Sequence, residues 1–150
     1  MTIWIDADGC PRPVRDIVFR ASDRLAIPVR LVANAVLPTG GSPLVESVAV
    51  GGAFNAADDH IAESVEPGDL VITADIPLAA RIVEAGAVAL NPRGELYTED
   101  NVGERLSMRN FMKGMRAAGY IDGGPPSYDV MDKQAFANAL DRFLTRQLRD

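Results

Sequence analysis

A chain of 150 residues, 47% hydrophobic and 24% charged, has the composition of a globular protein and the length of one domain, 1–150. Its net charge of −6 disfavours nucleic-acid binding by charge alone, and its single His and single Cys exclude a His-based zinc centre and an intrachain disulfide. No apolar run approaches a membrane span, and Met1 leads into an acid-ended strand rather than a basic and then apolar leader, so no signal peptide, no membrane partner and a cytoplasmic location are expected.

Ile3 and Ile5 alternate with Thr2 and Trp4, which predicts a strand ended by Asp6. Pro11 and Pro13 suit a first helical turn, and Val14, Ile17, Val18, Ala21 and Leu25 then repeat at helical spacing up to Pro28. Residues 29–34 read as a second strand. Residues 35–44, with Pro38, Gly40, Gly41 and Pro43, read as a loop, and 45–50 as a short strand. Ala56, Ala57, Ile61, Ala62 and Val65 predict a helix closed by Pro67-Gly68. The apolar run from Asp69 to Thr73 suits a strand covered on both faces. Pro77 opens a helix carrying Leu78, Ala79, Ile82 and Val83, Gly86 closes it, and residues 87–90 form another strand. The last third reads as helical: from a cap at Thr98 to about Gly119, with a break near Gly103 or a restart at Ser107, and again through Phe136, Leu140, Phe143, Leu144 and Leu148 after a Gly123-Gly124-Pro125-Pro126 loop. Strands alternating with helices predict a three-layer α/β/α fold around a mostly parallel sheet.

In such a sheet ligands bind beyond the carboxyl ends of the strands. Asp6 and Asp8 follow the first strand, Asp75 follows the 69–73 strand, and Asp58 and Asp59 open a helix after Gly51-Gly52. Acids brought together from separate elements repel unless a proton or cation neutralises them, and oxygen ligands suit Mg²⁺ or Mn²⁺. Such an ion activates water and stabilises an in-line displacement at phosphorus. Singly, Asp58 or Asp59 equally fits an acid matched to the helix dipole, and Asp75 a helix cap.

Other chemistries fit less well. Cys10 precedes a helix start, but Pro11 and Pro13 remove two backbone donors that a thiol-phosphatase cradle needs, so Cys10 reads as a small thiol packing the turn. Asp6-Ala-Asp8-Gly9 also resembles the opening of a haloacid-dehalogenase-type phosphatase, yet Lys113 and Lys133 both lie after Asp75, where that chemistry needs a lysine before the later acids. A Ser–His–Asp triad would rest on His60 alone, without a G-x-S-x-G element, and His60 reads as a surface helix residue, Trp4 as core. Arg105, Arg109, Lys113 and Arg116 form either a solvated helix face or a stripe that holds a phosphate backbone. Arg93, after the last strand, is placed to touch a phosphate.

Trp4-Ile-Asp6-Ala-Asp8 with Cys10-Pro11, Val32-Ala33-Asn34, Ala57-Asp58 with Ile61, the run Gly68 to Ala79, Leu90-Asn91-Pro92-Arg93-Gly94, Met108-Arg109 and Gly123-Gly124-Pro125 are blocks by which nearly the whole chain resembles the YaiI/YqxD family of uncharacterised bacterial proteins. The resemblance implies a PIN-like domain, a group with many Mg²⁺- or Mn²⁺-dependent nucleases whose metal ligands are acids at strand ends and on an adjacent helix. Carried over, it implies Asp6, Asp8, Asp58 and Asp75 as ligands, the Ala57-Asp58 element selecting Asp58 over Asp59. The expected function is that of a metal-dependent phosphodiesterase, an RNase-like hydrolase acting on single-stranded RNA or another phosphoester, with Asn34, Arg93 and Arg109 steadying phosphates or the leaving group. The alternatives are a non-catalytic nucleotide- or partner-binding module and a phosphatase for small phosphoesters.

Overall fold

In a computed structural model, which describes residues 1–124 and 126–149, the strands are β1 (Ile3–Asp6), β2 (Val29–Ala33), β3 (Val45–Ala49), β4 (Leu70–Ile72), β5 (Val88–Leu90) and β6 (Leu96–Tyr97). The helices are α1 (Arg12–Leu25), α2 (Ala56–Ser64), α3 (Ile76–Glu84), α4 (Val102–Ala117) and α5 (Val130–Gln147). The strands form one sheet in the order β3-β2-β1-β4-β5-β6, parallel throughout except for antiparallel β6. Pro125, the third residue of the expected Gly-Pro loop, lies outside the described residues.

The two faces of the sheet are covered by different helices. Ile3, Ile5, Leu31 and Ile72 pack with Val14 and Val18 of α1 and with Phe136, Leu140 and Leu144 of α5. Trp4, Val32, Val71 and Ala89 pack with Ile61 of α2 and with Leu78, Ala79 and Ile82 of α3. This is the expected three-layer α/β/α arrangement. Central β1 is buried on both faces rather than amphipathic, because Trp4, paired in register with Val71, belongs to the second core. At the opposite end of the strands from Asp6, the buried Asp69 carboxylate accepts from the Trp4 indole at 3.1 Å, from the Thr2 amide at 2.9 Å and from the Glu66 amide at 3.0 Å. A charge taken out of water is tolerated when its lone pairs are filled in this way.

From β1 the chain runs through α1 to β2, toward one edge. From β4 it runs through α3 to β5, toward the other edge, on the opposite face. β1 and β4 are neighbours, so the direction of winding reverses between them and a crevice opens beyond their carboxyl ends. Asp6 and the Thr73–Asp75 segment sit at that switch point.

In the last third, α4 is unbroken: Gly103 falls in its first turn, and Asn101, not Thr98, is its cap residue. Thr98 instead offers its carbonyl to the Asn101 and Val102 amides. Strand β6, only two residues long, carries no periodicity that the sequence could display. No helix among the described residues is long and apolar enough to cross a membrane.

Candidate functional site

The crevice at the switch point is a cleft of about 430 Å³ lined by Asp6, Asp8, Asn34, the Gly51–Ala53 segment, Asp58 and Asp75. Register explains its floor. Ile5 pairs with Ile72, so Asp6 and Thr73 stand side by side, and the buried Thr73 hydroxyl donates to Asp6 Oδ2 at 2.8 Å. Thr73 Oγ1 also accepts from the Asp75 amide at 3.0 Å, and Asp75 Oδ1 caps α3 by accepting from the Leu78 amide at 2.9 Å. One threonine thus ties together the acids at the ends of β1 and β4.

After Asp6 the chain folds into a 3-10 turn, Ala7–Gly9, that lifts Asp8 to the exposed rim. A Cβ on Gly9 would stand 2.9 Å from Asp6 Oδ2, so the turn closes over that carboxylate only with glycine there. Helix α2 starts from Asn55, whose φ of 64° is left-handed, a conformation asparagine tolerates better than most residues. The start of α2 directs Asp58 to the cleft. Its neighbour Asp59 turns to α3 and pairs with Arg81 at 2.8 Å.

Electrostatics reflects the crowding. Burial raises the Asp6 carboxyl above its ordinary value, the Thr73 hydrogen bond opposes that, and the Asp75 and Asp8 charges reinforce it. Asp58 is pushed up to about 6, first by burial, then by the charges of Asp75 and Asp6, while Arg81 draws it down. The acids are therefore close enough to repel one another. Even so, no three chelating side chains among the described residues are gathered tightly enough to hold a metal ion as they stand. Mg²⁺ takes one or two protein carboxylates and keeps several waters, so its binding does not demand a closed cage. The donors here are all oxygen, and within the fold Asp6 engages one carboxylate oxygen with the Thr73 hydroxyl and Asp75 one with the Leu78 amide. This donor set fits a hard divalent cation and does not fit zinc, copper or an iron–sulfur cluster.

The other predicted residues fall elsewhere. Asn34, one residue past β2, does line the cleft. Arg93 does not: its guanidinium pairs with Asp132 of α5 at 2.9 Å, donates to the Pro126 carbonyl and lies over the Tyr128 ring. Arg109 lines a separate groove along α4. The Cys10 thiol, directed at the Ile72 carbonyl, is pushed far above its ordinary pKa by burial and by Asp6, against a weaker pull from Arg15, which leaves it an inert packing group. His60 meets Trp4 edge-on, outside the acidic cleft. Thr73 and Gly9 were missed by sequence reasoning. The signal for Thr73 is a hydroxyl residue ending a buried strand two positions before an acid.

Residues 4–146 match the family model described as uncharacterised BCR, YaiI/YqxD family. The chain is 61% identical over 150 residues to a UPF0178 protein of Geobacter metallireducens, covering 100% of this chain and 97% of that one. It is equally 61% identical over 150 residues to a UPF0178 protein of Citrifermentans bemidjiense, with the same coverage. With a UPF0178 protein of Shewanella baltica it shares 55% identity over 144 residues, 96% of each chain.

Proposed function

The chain belongs to the YaiI/YqxD family, and from its acidic cleft we propose that it is a PIN-like, Mg²⁺- or Mn²⁺-dependent phosphodiesterase acting as an RNase-like nuclease. The observation that carries this reading is the meeting of Asp6, Asp8, Asp58 and Asp75, from a strand end, a turn, a helix and a second strand end, in one cleft at the winding reversal of a parallel sheet. Four carboxylates in one cleft destabilise the empty fold, and a cation is what offsets them at neutral pH. A bound Mg²⁺ or Mn²⁺ would neutralise phosphate charge and activate water for in-line attack. The chain's own part is positional. Thr73 fixes the Asp6 carboxylate, and the α3 amide end fixes Asp75. The Asn34 side chain, at the cleft wall, can donate to a phosphate oxygen, and the Gly51-Gly52 segment leaves that wall open to a bulky ester.

The test is Mn²⁺-dependent cleavage of single-stranded RNA by the purified protein against Asp8→Asn. The expected result is cleavage by the parent, abolished by EDTA and lowered at least about a hundredfold in the variant. Equal cleavage by both, or none by either across metals, refutes the proposal. The open spacing of the carboxylates supports a second reading, a non-catalytic module that uses the cleft to bind a nucleotide or partner. Calorimetric titration separates the two, because a module of that kind would not take up Mg²⁺ or Mn²⁺ at millimolar concentration.

A further inference from the structure

An acidic cleft repels the phosphodiester it is proposed to act on, so affinity for a polymeric substrate must come from elsewhere on the surface. Four of the chain's 15 basic residues fall in the 16 residues of α4, beside one acid, Glu104, although the whole chain carries −6. No residue of α4 is buried, and Met108 and Phe111 are 54% and 60% exposed. Between α3, α4 and residues 121–124 runs a groove of about 710 Å³, lined by the cations Arg105, Arg109, Lys113 and Arg116 and floored by apolar side chains such as Met112 and Ile121. Two acids also face it. Glu95 is neutralised by Arg105 at 2.6 Å, and Asp122 leaves the lining with a positive balance. Arg109, Lys113 and Arg116 have no acidic partner among the described residues. The groove starts at Ile76, the residue after Asp75, so it adjoins the acidic cleft across a single peptide bond.

We infer that the α4 groove is the binding track for a single-stranded polynucleotide, whose backbone lies on Arg109, Lys113 and Arg116 and whose path leads one phosphate past Ile76 into the acidic cleft. This deepens the proposed phosphodiesterase reading and rests on it for the role of the cleft. Arg109 and Lys113, four residues apart, are offset by about 6 Å along the helix, and Lys113 and Arg116, three apart, by about 4.5 Å, steps comparable to the distance between neighbouring phosphates of a flexible strand. Methionine and isoleucine between them give unpaired bases a soft apolar surface that needs no particular sequence. Charge complementarity selects this occupant: the surplus positive charge faces a polyanion, and the apolar floor suits a strand whose bases are not already stacked in a duplex.

The test uses the full chain in EDTA, where nothing is turned over. Fluorescence anisotropy follows a labelled unstructured RNA of about 12 nucleotides, and a DNA of the same sequence, binding to the parent and to an Arg109→Gln, Lys113→Gln, Arg116→Gln triple variant. Three phosphate contacts on a single strand give a slope of about −2 in log affinity against log salt, so parent affinity falls about fifteenfold between about 50 and about 200 mM salt. The triple variant binds at least tenfold more weakly at low salt, and its slope approaches zero. Lys113→Glu, on an exposed side chain, serves where the triple variant does not fold, with an affinity loss of at least threefold. Equal affinity and slope in parent and variants overturns the inference. So does equally tight binding of polyglutamate, which would make the groove a site for acidic peptides, or a parent dimer in sedimentation that the variant splits, which would assign it to a second copy. Binding is read without metal, so absence of cleavage by the parent would sink the hydrolytic reading alone, and unchanged binding by the variants would sink this one alone.

Discussion

Replacing Asp58 by Asn is expected to stabilise the metal-free protein, and only above a definite pH. In the fold the Asp58 carboxyl is held at about 6, against 3.8 in an unperturbed chain. Below about pH 4 the group is protonated in both states and costs nothing. Between about 4 and 6 the unfolded chain has released its proton while the folded chain retains it, so stability falls as pH rises. Above about 6 the penalty is complete. A difference of about two pH units is worth at most about 3 kcal/mol, and because Asp58 is only partly buried, solvent screening reduces this to about 1 kcal/mol. Asn keeps the shape and removes the charge, so at pH 8 in EDTA the variant should melt about 2–4 °C above the parent, and at pH 4 the two should coincide. The readout is thermal unfolding followed by circular dichroism across that range. Saturating Mg²⁺ should reverse the order, because an ion at ten times its Kd already adds about 1.4 kcal/mol to the protein that binds it, and more at higher concentration. A variant that is less stable at pH 8, or equally stabilised at pH 4 and pH 8, would refute the account of carboxylates in mutual repulsion.

Further outcomes follow from single contacts. Thr73→Val removes the donor to Asp6 Oδ2 and the acceptor for the Asp75 amide; unfolding in urea should show a loss of about 1–3 kcal/mol, and Mn²⁺ affinity should fall more at pH 6 than at pH 8 because the Asp6 pKa rises further. Gly9→Ala sets a methyl 2.9 Å from Asp6 Oδ2, so calorimetry should show weakened Mn²⁺ binding in a variant that keeps all four acids. Gly94→Ala adds backbone strain at φ +95° to a contact of 2.7 Å with the Ala135 carbonyl, and a loss of more than about 2 kcal/mol is expected on chemical denaturation. By contrast Ala26, the exposed left-handed residue after α1, should accept Gly with a gain of about 1 kcal/mol and a melting temperature about 3 °C higher.

What the sequence displayed of the cleft was whatever depends on one element at a time. Asp6 and Asp75 could be placed because each ends an apolar run, and in a parallel sheet the end of a run is a position at the ligand edge. The choice between Asp58 and Asp59 could not be made that way, since neighbours on a helix differ only by a rotation. It is made by Arg81, 22 residues further on, which takes Asp59 away from the cleft. Arg93 shows the same limit from the other side. Its place just past β5 is legible in the sequence, although β6 follows and β5 is not the last strand, but its direction is set by Asp132 and Tyr128, which arrive with the distant helix α5. Strand position is thus a local property, and side-chain destination a tertiary one.

Thr73 lies between these cases and explains why the site hangs together. A threonine at the end of an apolar strand reads as ordinary strand composition, because its methyl suits a pleated surface. Only the parallel register of β1 against β4 sets its hydroxyl beside Asp6, and only the helix that follows gives its oxygen the Asp75 amide as a second partner. A buried hydroxyl that accepts one bond and donates another couples the two groups it joins. A shift of β4 by one residue would place Thr73 on the opposite face of the sheet, leave Asp6 buried without its donor and detach Asp75 from the β1 end. The acids at the switch point are therefore held together by strand register, and the stability of the sheet centre and the geometry of the cleft are one property.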